Sequence, residues 1–546
     1  MMRFSKRNKY LLFALLTILN IIFRLPVTAH EIGVDSFFIH RLATSISTYG
    51  YAGWTVHPVS FTGLYPLSYA SAYPFLLSGI SQITGISVEY AILLSCILLG
   101  IFSVFFTFLF AKEVKNDDLF AFLVAFVFSL SPNFLRFTIW DATTRSLFMA
   151  LLPLLLWALI KCWKSFSGKY VGIAIVAYVM LICSHRISLY IPLIFVAFIA
   201  AVILTFIYLK VKNSQIFSNS KVLNKLSYFI FPVAFLLLFF VQFSGIGFYD
   251  KWLPDFYVGY LFEGEETHIV ALNIAADYFG KIGIILFFGV IGFFYFPKNV
   301  YNDFGKLFVC LSILTLTPFL VMEDYTPEVI LPFLSILAVF GLISTYNVTK
   351  QRKKMALSIL LICLVVSTGF SWYMLDHWNV YKSSMSDKTY ATASFLGSEK
   401  ANGTSVANSG LLSCQISAFS EKSCLPYGGR YAQVNSPEQL IYGSVKPDEV
   451  VTQPLSVSAV ISNRRLFELI SALPNAKNDW DNLLRSHYST NKILRAKYDI
   501  QYAVEDLRLK GKYIHWRTYD SRLLVSLHES GNKIYDNSGV DIWYLN

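Results

Sequence analysis

Acids, imidazoles and guanidiniums that stand beside long apolar runs are the residues of this chain that could do chemistry. Asp35, His40 and Arg41 lie in the stretch 31–43, directly after the first apolar run. Arg136, Asp141 and Arg145 follow a later run, and His185 and Arg186 separate two others. Glu263, Glu265, Glu266 and His268 form a further group, and Glu323, Asp324 and Glu328 a last one. Charges next to lipid are expensive and are usually kept for function. A carboxylate there can take the proton of an acceptor hydroxyl. An arginine can hold a phosphate through two parallel hydrogen bonds. Acids from separate loops can also bind a hard divalent cation, Mg or Mn, through oxygen.

Plainer readings compete for each. Asp35 could cap a helix over 36–49. His40 and Arg41 could be interfacial anchors, and Asp141 with Arg145 could be a helical ion pair four residues apart. His185 and Arg186 could anchor a tight turn, and the run 263–266 could be a solvated loop.

The elements that must position these residues are membrane helices. The chain has 546 residues, 55% of them hydrophobic and only 14% charged. Soluble chains carry roughly 25% charged residues. The apolar residues come in runs of about 18 to 24, each long enough to cross a bilayer as a helix. Candidate spans are about 10–28, 88–111, 119–134, 146–161, 170–184, 187–209, 227–245, 282–297, 306–322, 328–347 and 355–375, about eleven in all. The first follows Arg3, Lys6, Arg7 and Lys9 and lacks a small-residue cleavage site, which suggests an uncleaved signal anchor. The net charge of +11 is spread in short clusters between the runs. That is a topology signal rather than a nucleic-acid footprint.

Parity gives the orientation. With eleven spans and the N-terminus in the cytoplasm, inner loops and tail hold roughly 19 Lys and Arg, and outer loops roughly 7. Counting residues 66–84, which contain Pro66, Pro74 and Gly79, as another span would reverse the later loops. We therefore read that segment as a helix at or dipping into the outer face. The acids and their cations all fall outside, in a first outer loop of 29–87 and in later, shorter loops. The membrane part is 1–375. Residues 376–546 form an extracytoplasmic domain of α/β or α+β type, with helical patterns over 388–399, 466–470 and 481–495 and strands over 500–504, 523–527 and 540–544. Asn402-Gly-Thr404 is a glycosylation sequon there. Cys414 and Cys424 could close a disulfide in an oxidising compartment; the other five cysteines lie in or beside apolar spans.

No Walker-type phosphate loop, dinucleotide fingerprint or zinc spacing occurs. With short, basic inner loops, the consistent donor is one activated by a lipid phosphate outside the cytoplasm. Gly33-Val-Asp35-Ser-Phe-Phe-Ile-His-Arg41, followed by Gly50, Trp54 and Tyr65-Pro66, resembles the first outer loop of the oligosaccharyltransferase catalytic subunit and its archaeal relatives, within the GT-C class of membrane glycosyltransferases. Ser131-Pro-Asn-Phe-Leu-Arg-Phe-Thr-Ile-Trp-Asp141 resembles that family's second acidic site. Protein mannosyltransferases belong to the same wider class. The resemblance implies an all-α polytopic GT-C bundle in the plasma membrane, with Asp35 catalytic or metal-binding and Asp141 as the second acid. From the charge pattern we expect substrate binding by His40, Arg41, Arg136, Arg145, His185, Arg186 and Glu266, while the family's fourth-loop glutamate could match Glu263, Glu265 or Glu266. The Trp-Trp-Asp-Tyr-Gly acceptor motif is absent, because no Trp-Trp pair occurs. That points away from transfer to protein asparagine and toward one sugar moved from a polyprenyl (dolichyl)-phosphate donor to a glycan, lipid or protein. A transporter or flippase of lipid-linked glycans is the competing reading; a polymerase or ligase of surface glycans is chemically close.

Overall fold

The computed structural model describes residues 5–50, 55–56, 64–65, 72–213, 229–240, 267–298, 300–321, 325–349, 353–378, 380–398, 404–407, 410–422, 424–426, 500–507 and 531–545. In chain order the first helices are α1 (Lys6–Ile22), α2 (Val34–Tyr49), α3 (Ala72–Thr84), α4 (Val88–Val114), α5 (Asp118–Ser129), α6 (Pro132–Arg136), α7 (Thr144–Lys164), α8 (Gly168–Ser184) and α9 (Ile191–Asn213). They continue as α10 (Phe229–Phe240), α11 (Thr267–Ile282), α12 (Leu286–Tyr295), α13 (Phe304–Leu316), α14 (Thr326–Thr349), α15 (Lys353–His377), α16 (Asp387–Gly397) and α17 (Gly410–Ser420). The strands are β1 (Thr55–Val56), β2 (Leu64–Tyr65), β3 (Thr404–Ala407), β4 (Cys424–Pro426), β5 (Ile500–Asp506), β6 (Gly531–Asp536) and β7 (Val540–Leu545).

These elements fall into two compact units. One comprises Met1–Leu25, Cys96–Ile139 and Thr144–Asn379; the other comprises Pro26–Ser95, Trp140–Thr143 and Val380–Asn546. Compactness therefore groups the first loop, and four residues around Asp141, with the C-terminal part.

The first unit is helical. Among the described residues five helices are long and apolar enough to cross a membrane, or six if the pair α11 and α12, bent by 108°, is one broken span. Eleven were expected, and local chemistry accounts for part of the difference. Ser131 caps a new short helix that starts with Pro132, so the expected span 119–134 becomes the 12-residue α5 and the 5-residue α6. Gly283, at φ +106, stands between α11 and α12. The apolar segments Gly168–Ser184, Phe229–Phe240 and Phe304–Phe319 are also helices, but shorter than the 18 residues of a full span. Large apolar side chains stand outward on α4 (Phe102, Phe105, Leu109), α9 (Ile199, Ile203, Phe206) and α15 (Leu361, Ile362, Val365). Water would not tolerate so much contiguous apolar surface; acyl chains do. Lipid gives helices little hydrophobic drive to associate, so close backbone approach matters. A Cβ on Gly292 would strike the Leu337 carbonyl, and one on Gly341 the Phe288 carbonyl. These two glycines seat α12 on α14.

A buried cation also belongs to this unit. Arg24 is fully buried, and among the described residues it bonds neutral groups: Thr138 Oγ1 at 3.0 Å, Asn20 Oδ1 at 2.8 Å and the carbonyls of Asn20 and Ser129 at 3.1 and 3.2 Å. It joins the end of α1 to both sides of α6.

The second unit is built around α2, which packs on α3 and α17. α3 has 13 residues, about 20 Å of helix, against the roughly 30 Å of a bilayer core. The rest of the expected segment, 66–71, lies outside the described residues. Phe37 of α2 enters a core with Leu396, Leu412, Ile416, Val504 and Ile542. The sheet order is β4-β3-β5-β7-β6, with β3 parallel to β4 and β5, and β7 antiparallel to β5 and β6. The mixed sheet and helices match the α/β or α+β expectation. Helix 388–399 appears as α16, and strands 500–504 and 540–544 as β5 and β7. The expected elements at 466–470, 481–495 and 523–527, and Asn402 of the sequon, lie outside the described residues.

Candidate functional site

The N-terminal end of α2 is the centre of the candidate site. Gly33 is its N-cap at φ +92 and ψ 136, with no side-chain cap, and Asp35 sits in the first turn. Asp35 is therefore not the cap. It is exposed, where an anion is favoured by the positive end of the helix dipole. Asp141, 8% exposed, comes to the same end. A Cβ on Gly33 would lie 2.7 Å from its Cγ, 2.8 Å from Oδ2 and closer still to Oδ1. Gly33 thus serves twice: it adopts a φ that L residues avoid, and it leaves room for a carboxylate. The two acids nominated from the sequence are brought together at one helix terminus.

The segment 140–143 is held there by a polar clasp. Trp140 has φ +49. Its carbonyl accepts from Ile32 N–H at 3.2 Å, and its indole Nε1 donates to the Glu89 carbonyl at 3.2 Å. Ala142 N–H donates to Ser36 Oγ at 2.9 Å, and Ser36 Oγ donates to Glu31 Oε2 at 2.6 Å. Glu31 is fully buried, and its other oxygen meets His40 Nδ1 at 2.5 Å. Glu31 N–H donates to Glu89 Oε1 at 3.3 Å, which also meets His30 Nδ1 at 3.0 Å. His40 is thus placed as a partner of Glu31 rather than as an interfacial anchor. Glu31, Ser36 and Glu89 were not singled out from the sequence. The available signal was an acid five residues before a serine and nine before a histidine, around a helix start.

Arg41 is half-buried and lines a cavity of about 30 Å³ with Phe37, Phe38, Ser413, Cys414, Ser417 and Cys424. Cys414 and Cys424 are not joined by the expected disulfide. Burial foremost pushes the Cys424 thiol up to about 12.

The remaining nominated residues lie in the helical unit. Arg145 Nη1 is 3.4 Å from Glu328 Oε1. Its guanidinium carbon is 5.1 Å from the Phe137 ring centroid and 5.0 Å from that of Tyr325. The ion pair of Arg145 is therefore with Glu328; Asp141 precedes α7 and is not on its face. His185 is buried, its Nδ1 accepts from Ile187 N–H at 3.0 Å, and its ring lies 5.8 Å from Tyr325. Arg186 opens the short 3-10 turn that His185 caps. Arg136 is exposed, 5.5 Å from the Trp378 ring and 5.3 Å from that of Phe137. Glu263, Glu265, Glu266, Glu323 and Asp324 lie outside the described residues. Among the described residues no three His, Cys, Asp or Glu side chains gather as a metal site.

With this geometry the chain has the fold of the GT-C glycosyltransferases. It is similar to the Archaeoglobus fulgidus oligosaccharyltransferase in the apo form, at TM-score 0.58 and 12% identity over 99% of this chain and 75% of that one. The archaeal oligosaccharyltransferase AglB from Archaeoglobus fulgidus in complex with an inhibitory peptide and a dolichol-phosphate gives 0.56 and 12%, over 98% and 74%. ArnT from Cupriavidus metallidurans bound to undecaprenyl phosphate gives 0.52 and 10%, over 99% and 98%. No family model matches the chain, and no curated protein does.

Proposed function

We propose that this protein is an integral-membrane glycosyltransferase. It moves a sugar from a polyprenyl-phosphate donor to an extracytoplasmic glycan, lipid or protein hydroxyl. The observation that carries the reading is the approach of Asp141 to the N-terminal end of α2, which carries Asp35, in a fold whose solved members include ones bound to dolichol-phosphate and undecaprenyl phosphate.

As base, Asp35 takes the acceptor's hydroxyl proton while that oxygen attacks the anomeric carbon. The bond from that carbon to the phosphate oxygen breaks, and the lipid phosphate leaves with the electron pair. Asp141, fixed by the clasp, supplies the second negative charge beside the reacting sugar. Arg136, Arg145 or Arg186 helps bind the lipid phosphate. Asp141 against Gly33 and Asp35 in the first turn of α2 are also the carboxylates for a divalent cation such as Mg or Mn, which takes one or two carboxylates and completes its shell with water and phosphate oxygens. Asp35 and Asp141 would hold it. Bound there, it would neutralise charge developing on the leaving phosphate.

The test uses membranes holding the full chain and labelled polyprenyl-phosphate sugars. Asp35→Asn should lower turnover about 10²- to 10⁴-fold. Turnover equal to the parent removes Asp35 from the mechanism.

A second reading, a flippase of lipid-linked glycans, has one observation in its favour. α11 and α12 form a pair bent by 108°, and Lys281 is buried beside the break, 2.8 Å from Asp277. Discontinuous helices with buried charge line transporter pathways. Lipid-linked sugar that changes leaflet without being consumed would select this reading.

A further inference from the structure

The geometry points to Glu31 as a positioning residue for Asp141, acting through Ser36. The inference rests on the glycosyltransferase reading for its effect on turnover, and on the structure alone for its effect on the chain.

Three facts define the role. Glu31 is fully buried and sits before α2, where one oxygen accepts from Ser36 Oγ at 2.6 Å and the other meets His40 Nδ1 at 2.5 Å. Ser36 Oγ has one proton to give, and Glu31 takes it, so a lone pair on Ser36 is turned toward Ala142 N–H, 2.9 Å away. The residue before that amide is Asp141, whose carboxylate must stay in the space left by Gly33. A second backbone tie between this segment and the α2 approach is Ile32 N–H to the Trp140 carbonyl at 3.2 Å. Ile32 adjoins Glu31, so both ties are anchored on one buried turn. Met385 N–H donating to the Glu31 carbonyl at 3.4 Å holds that turn from the C-terminal part.

Without the carboxylate, Ser36 can rotate its proton toward Ala142, and two donors then face each other. Glu31→Gln need not do this. Its amide oxygen can accept from Ser36, and its NH₂ can donate to His40 Nδ1 in the tautomer protonated at Nε2. Glu31→Ala and Glu31→Gln therefore separate the clasp from general loss of a charge.

The experiment has two arms on the full chain in detergent or membranes. The first is amide hydrogen exchange of peptides covering 139–145. Glu31→Ala and Ser36→Ala should each speed exchange there about tenfold, while Glu31→Gln stays near the parent and peptides from α7 are unchanged. The second is transfer from a labelled polyprenyl-phosphate sugar. The same two alanine variants should lose about 100-fold in kcat with the donor KM unchanged, and Glu31→Gln should retain activity. Exchange at 139–145 unchanged by Ser36→Ala overturns the clasp. Faster exchange with parental kcat overturns the positioning role. If the parent itself transfers no sugar, the glycosyltransferase reading fails, and the exchange arm still decides whether Glu31 holds the segment.

Discussion

Alanine at Gly33 should disable the protein far more than alanine at Gly50, although both glycines flank α2 with positive φ. Gly50 closes the helix at φ +78 with nothing within 4 Å of an added Cβ. Alanine there meets only backbone strain, about 1–2 kcal/mol. Gly33 has φ +92 and ψ 136, a region still less open to L residues, with strain of about 1–3 kcal/mol. In addition its Cβ would lie 2.7 Å from Asp141 Cγ, where ordinary contact begins at 3.4 Å. The carboxylate carbon must shift by roughly 0.7 Å and Oδ1 by more, and misplacement of a reacting group by about 1 Å can cost a factor of about 10². Both variants should therefore unfold below the parent, Gly33→Ala by more. Only Gly33→Ala should lose about 100-fold in transfer from a labelled polyprenyl-phosphate sugar. Equal activity losses in the two variants, or a fully active Gly33→Ala, would refute the idea that Gly33 is kept to seat Asp141.

Three further outcomes follow from other parts of the chain. Arg145→Lys removes the planar fork that lies over Phe137 and Tyr325 and faces Glu328, so the donor KM should rise about tenfold with little change in thermal stability, read by initial rates. Gly341→Ala drives a methyl group into the Phe288 carbonyl; overpacking of about 1–3 kcal/mol should lower the melting temperature in detergent and leave the donor KM unchanged. The buried Cys424 thiol, raised to about 12, is ionised to only about 1 part in 10⁴ at pH 8. Its alkylation in the folded chain should stay slow and rise with pH until the pH approaches that value, as mass spectrometry of iodoacetamide-treated protein would show.

The sequence read well where a property is local. Apolar runs show as helices because lipid exposure makes every side chain on a span apolar. The strand patterns at β5 and β7 show because alternation is written in adjacent residues. The run from Gly33 to Arg41 was also legible, since it puts an acid, an imidazole and an arginine beside a span. The count of spans was less legible. Ser131-Pro132 breaks one run, Gly283 stands at the bend between two others, and hydropathy over a window averages across such breaks.

Asp35 could be nominated from one stretch of chain, and Asp141 from another. That Asp141 reaches the end of α2 that carries Asp35 is a fact of tertiary structure: the bond from Ala142 to Ser36 spans 106 residues, and no periodicity encodes a contact at that separation. The same holds for Glu31, which reads as one more loop acid until burial forces both its oxygens to find partners. The sequence by itself marked the chain as a membrane protein, because burial in lipid acts on each residue separately. Only the tertiary structure decided that Gly33 makes room for Asp141, that Arg145 pairs with Glu328, and that His40 serves Glu31. Those choices depend on which distant groups are left to satisfy one another once the helices have packed.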